Sequence, residues 1–116
     1  MNRPQFERLV DEALEGLPPW VLEAVDNLAV VVEDWPRHDQ DPSGELLGLY
    51  EGVSLLERGI DYSGFLPDRI VVFMGPHLRL GLPRSELRQE IRRTVLHEIA
   101  HHLGLDDHRL HELGWE

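Results

Sequence analysis

The stretch Val95-Leu96-His97-Glu98-Ile99-Ala100-His101-His102-Leu103-Gly104-Leu105-Asp106-Asp107-His108 decides how this chain is read. From Pro83 the apolar positions recur at helical spacing as far as Leu103, and Gly104 stands where a left-handed residue ends a helix. The spacing predicts one long helix over residues 83–103. At 100° per residue His97 and His101 point within about 40° of each other and stand one turn, about 6 Å, apart. Two imidazoles so placed can grip one ion. Glu98 projects about 60° from His101, within reach of a water on that ion but poorly placed to ligate it, as a general base requires. Leu96, Ile99, Ala100 and Leu103 fall on the opposite side, so the helix has an apolar back to bury and a liganding front.

A hydrolytic zinc needs a third protein ligand and one open position. The chain has no Cys, which leaves His and carboxylate as the strong metal ligands. Gly104 lets the chain reverse just after the helix, so a residue beyond it can return to the ion. Asp107, ten positions after His97, is the expected third ligand. Asp106 and His108 stay open as alternatives, because a one-residue change of loop conformation would exchange them.

Working outward, residues 4–16 place Phe6, Leu9, Val10, Ala13 and Leu14 at helical spacing, with Gly16 and Pro18-Pro19 as the stop. A short second helix starts at Pro19 and runs towards an Asp26-Asn27 turn. Leu28-Ala29-Val30-Val31-Val32-Glu33 is apolar on both faces, as expected of an interior strand. Residues 35–44 read as an exposed loop, residues 46–51 as a second strand, and residues 52–67 as an irregular connection carrying Tyr62. Residues 69–74 form a third strand that Gly75-Pro76 ends; residues 76–82 fit a short fourth strand or a turn. A short helix over residues 109–113 completes an α+β pattern.

The 116 residues have room for one small core, so residues 1–116 are expected to form a single compact domain. Asp plus Glu number 22 against 11 basic residues, all Arg, for a formal charge of −11. Residues 1–68 hold 15 acids and 4 Arg, whereas residues 69–116 hold 7 of each. Such a charge repels phosphate backbones and disfavours nucleic acid as a partner. Arg84, Arg88, Arg92 and Arg93 are expected to pair with the acidic half. The N-terminus lacks an apolar signal-peptide core and no apolar run is long enough to span a bilayer, so a cytoplasmic protein without membrane partners, monomeric by default, is expected.

The pattern H-E-x-x-H-x-x-G-x-x-D resembles the metzincin-like motif, with Asp107 where the commonest version has His. The chain as a whole resembles the small bacterial zincin-like metallopeptidase family. The likeness covers residues 26–34, Leu47-Gly48-Leu49-Tyr50-Glu51-Gly52, Leu66-Pro67-Asp68-Arg69-Ile70, the His97 helix and the terminal Arg109-Leu110-His111-Glu112-Leu113-Gly114-Trp115. It implies a minimal zincin fold: a small mixed sheet of three to four strands packed against the active-site helix and N-terminal helices. It further implies a zinc metallopeptidase with one Zn2+ on His97, His101 and Asp107, cutting peptides or unfolded chains through a zinc-bound water activated by Glu98. Unlike full-size metzincins, the nine residues after Asp107 hold no Met, and the cleft is expected to lack the far wall that a second subdomain supplies in those proteins.

A substrate peptide would lie along an exposed edge strand, for which residues 69–74 are the candidate. Tyr62, His77, His108 and His111 are of a type to stabilise the oxyanion. His102 could orient Glu98 but reads more simply as an exposed or capping His, and His108 and His111 as helix-end residues. Trp20, Trp35 and Trp115 read as packing residues. Two other functions fit the spacing: a metal-dependent endoribonuclease-like hydrolase, and a non-catalytic binding module that zinc stabilises.

Overall fold

The computed structural model describes residues 1–24, 28–52, 68–105 and 107–113; within its helices the side chains of Trp20, Leu22, Ala24, Asp107, Leu110 and Leu113 lie outside that description. Helix α1, Arg3–Glu15, starts from a reciprocal cap in which the Asn2 side chain accepts from Gln5 N–H and the Gln5 side chain accepts from Asn2 N–H. Its Phe6, Leu9, Val10 and Ala13 are buried. Helix α2, Pro19–Ala24, follows directly.

Among the described residues three strands form one mixed sheet: β1 Leu28–Glu33, β2 Gly48–Glu51 and β3 Asp68–Phe73, in the order β1-β3-β2. β1 runs parallel to β3 with Val30 opposite Ile70, and β2 runs antiparallel to it with Tyr50 opposite Ile70. This corrects the strand assignment read from the sequence. β3 is the central strand, with Ile70, Val71, Val72 and Phe73 fully buried, and β1, half-buried throughout, is an edge. Both strands are apolar on both faces, and periodicity records that without recording which one gains two neighbours.

Gly75-Pro76 does not end a strand into a turn. Helix α3, Met74–Arg79, begins at once, and Pro76 sits in its first turn, where a missing N–H costs nothing. Gly75 is required there because a Cβ would run into the Trp35 ring, and its N–H is held by the Asp34 carbonyl at 2.7 Å. Trp35 packs across this turn with the Arg79 guanidinium 4.7 Å from its ring centroid.

Helix α4, Arg84–Leu103, spans about 30 Å. Gly104 at φ 77° closes it, and Leu105 N–H returns to the Ala100 carbonyl at 2.9 Å. Arg84 and Arg88 pair with Glu12 of α1, as expected, whereas Arg93 pairs with Glu90 of its own helix and not with the acidic half. α4 and α1 cover one face of the sheet, joining Ile70 and Val72 to Leu87, Ile91, Val95, Ile99 and the α1 stripe in one core. Helix α5, Asp107–Leu113, lies just beyond the Gly104 turn and starts two residues earlier than its sequence suggests.

Candidate metal centre

The long helix brings His97, Glu98 and His101 together as the spacing requires: one ligand atom from each lies within 4.8 Å of the others. The two imidazoles are 4.7 Å apart between ring centroids. His101 has 43% of its side chain exposed whereas Glu98 keeps only 8%, so one side of the cluster opens to solvent and the carboxylate is enclosed. Two imidazoles one helical turn apart, with a carboxylate beside them able to serve as a base, suit a zinc site, so the residues fit the ion the sequence implies.

Glu98 is enclosed because β2 lies across it. Gly48 makes that approach possible: a Cβ there would stand 2.6 Å from Thr94 Cγ2 and 3.5 Å from Glu98 Cγ. The backbone N–H of Tyr50 then donates to Glu98 Oε1 at 3.0 Å, and His101 Nδ1 is 3.3 Å from the same oxygen. A cavity of about 510 Å³ opens between β2 and α4, with Leu46, Leu47 and Leu49 on one side and Thr94, His97 and His101 on the other. Its rim is organised by Asp41, whose carboxylate accepts from the N–H groups of Ser43, Glu45 and Leu46. The Ser43 hydroxyl, also bonded to it, is the main reason the Asp41 carboxyl titrates below its ordinary value.

The liganding front is narrower than the helical wheel suggests, because Glu98 and His102 are buried with the apolar residues. His102 is neither exposed nor a cap. It is fully buried, with Nδ1 2.9 Å from Asp68 Oδ2, and the Tyr50 hydroxyl donates to the same oxygen at 2.7 Å. Tyr50 and Asp68 lie in stretches that carry the family likeness, but their spacing gives neither a role beside the metal helix. A signal for His102 was present: it continues the stripe Ile91, Val95, Glu98, Ile99 at intervals of three and four, the positions that face the sheet.

His77, one candidate for the oxyanion, does not reach the cavity. It is fully buried behind it, with Nδ1 2.8 Å from the Phe73 carbonyl and Nε2 3.0 Å from Thr94 Oγ1. Burial pushes its pKa below the ordinary value, against the opposing pull of the Phe73 carbonyl and the Glu90 charge. His108 pairs with Glu112 along α5 at 2.9 Å, and neither it nor His111 is among the described residues lining the cavity. Tyr62, Asp106, Trp115 and the side chain of Asp107 lie outside the described residues, so the third ligand is not placed.

Among the described residues a three-stranded mixed sheet is crossed by a helix that presents H-E-x-x-H from under an edge strand, a group that could hold a metal ion. The zincin-like metallopeptidase family matches residues 25–115, and the chain belongs to that family. No curated protein matches the chain. Among the described residues no helix is long and apolar enough to cross a membrane.

Proposed function

We propose that this protein is a zinc-dependent peptidase in which His97 and His101, with Asp107 as third ligand, hold one Zn2+ and Glu98 moves the proton. Zinc at such a site lowers the pKa of a coordinated water to about 7 and polarises the substrate carbonyl. Glu98 takes the proton from the attacking water and passes it to the departing amine. The observation that carries this reading is the setting of Glu98: buried, held on one oxygen by the Tyr50 amide, and within 4.8 Å of a ring nitrogen of each imidazole.

Substrate is read as an extended peptide along β2, replacing the edge role expected of residues 69–74. Leu47 accepts from Phe73 N–H and so faces β3; by alternation Gly48 and Tyr50 turn their backbone groups towards the cavity. A chain laid there gains affinity from main-chain bonds with little side-chain selectivity, which suits short or unfolded substrates. The test is a peptide-library cleavage assay on zinc-loaded wild type and Glu98→Gln, with zinc content measured on both. The expected result is hydrolysis by wild type and its loss, with zinc retained, in the variant. Hydrolysis that survives in Glu98→Gln removes Glu98 from the mechanism.

A further inference from the structure

Resting on the reading of His97 and His101 as zinc ligands, we propose that Tyr50 is a positioning residue that keeps Glu98 out of the metal's coordination shell. The cluster poses the problem itself. Glu98 lies within 4.8 Å of both His ligand atoms, so a small rotation would make it a further ligand and fill the open position that hydrolysis needs. Something has to hold it back.

Tyr50 grips α4 at two points one helical turn apart. Its amide donates to Glu98 Oε1 at 3.0 Å, and its hydroxyl, 3.3 Å from His102 Nδ1, meets residue 102 at the Asp68 carboxylate. Asp68 Oδ2 gathers both the Tyr50 hydroxyl, at 2.7 Å, and His102 Nδ1, at 2.9 Å. These contacts join β2, β3 and α4 in one buried place: Asp68 is 2% and His102 0% exposed. The Asp68 carboxylate is itself confined, since Gly52 packs so closely on it that no Cβ would fit. His102 Nε2 has no hydrogen-bond partner among the described residues, and a bare lone pair is cheaper to bury there than an N–H. His102 Nδ1 faces the Asp68 carboxylate, and this buried contact sets the rotation of the last turns of α4. With the rotation set, the Tyr50 amide meets the Glu98 oxygen and holds it against the strand.

The experiment is a double-mutant cycle read by zinc affinity in chelator competition, on wild type, Glu98→Gln, Tyr50→Phe and the double variant. Glu98→Gln is expected to weaken zinc binding at least about threefold more in the Tyr50→Phe background than in the wild type, because Tyr50→Phe keeps the amide but loses the hydroxyl contact that sets the rotation of α4, and the rotated Glu98 can then coordinate. Equal factors in the two backgrounds overturn the proposal. If Tyr50→Phe does not fold, as judged by circular dichroism, Asp68→Asn takes its place in the same cycle. In the wild type, long-range 1H–15N NMR should find the His102 proton on Nδ1, and a proton on Nε2 alone overturns the clamp. None of these measurements needs substrate. A protein that binds zinc without cleaving peptides refutes the peptidase reading and leaves the clamp standing, whereas equal factors do the reverse.

Discussion

Replacing Gly48 with Ala tests how closely β2 is seated on the metal helix. The new methyl would stand 2.6 Å from Thr94 Cγ2 and 3.3 Å from the Val71 carbonyl oxygen. Packed carbons sit about 3.5–4.0 Å apart, so the overlap with Thr94 is about 1 Å. Neither side yields easily: Gly48 is in register with Val72 of the central strand, and the Thr94 hydroxyl is tied to the Glu90 carbonyl at 3.0 Å. Overpacking of this kind costs about 1–3 kcal/mol, or a midpoint lower by about 4–12 °C at about 4 °C per kcal/mol. The severe clash is with one methyl, which Thr94→Ser removes while keeping the hydroxyl, at a cost of about 1 kcal/mol by itself. Urea unfolding of the four proteins should therefore give a double variant more stable than the sum of its parts by about 1 kcal/mol or more. Additive costs would refute the argument that the strand–helix approach is limited by this contact.

His77 supplies a pH dependence. Its folded pKa lies below the ordinary 6.5, so between the two values the unfolded chain binds the proton that the folded protein resists. The stability contributed by burying the neutral ring is complete above about pH 6.5 and is lost as pH falls through the folded value. His77→Asn is expected to cost about 1–3 kcal/mol at pH 7 through its lost bond to Thr94, and to lose less stability than wild type between pH 7 and 5 in urea unfolding; a parallel loss in both proteins would speak against it. Gly104→Ala forces a side chain into the left-handed region at φ 77° and should lower stability by about 1–2 kcal/mol, measured by thermal unfolding. Zinc at a hundred times its dissociation constant should add about 2.7 kcal/mol to wild type, and nothing to the His97→Ala, His101→Ala double variant, in calorimetry.

The charge distribution gains a structural sense from the helices. Arg84 and Arg88 converge on Glu12, which ties α4 to α1 across the layer that carries the core. Both pairs are substantially exposed, so they orient the helices more than they stabilise them, while the buried stripe of Phe6, Leu9, Ile91, Val95 and Ile99 supplies most of the cohesion. Arg69 plays a similar part on the sheet. Its guanidinium reaches Glu51 of β2 at 2.7 Å and Glu33 of β1 at 3.6 Å, spanning all three strands, and the bond to Glu51 raises its pKa further.

By itself the sequence determined the metal helix, its left-handed stop at Gly104, the pairing of His97 with His101 and the place of Glu98 beside them. All of these follow from a repeat of 3.6 residues and the conformational freedom of one glycine, properties that act over a single turn. The amphipathic α1 was legible for the same reason, through Phe6, Leu9, Val10 and Ala13. Tertiary structure decided what periodicity cannot carry. Residues 28–33 and 69–74 look alike as apolar runs, and only the pairing of β2 with β3 puts the second in the centre and leaves the first at the edge. Met74–Arg79 is a helix whose Gly75 fits under Trp35, a residue forty positions earlier, a contact that local spacing does not record. His102 became a buried partner of Asp68, and Tyr50 a hand on Glu98, because strands distant in sequence were folded against one face of α4. A residue's spacing shows which side of its helix or strand it faces, and only the folded chain supplies what waits on that side.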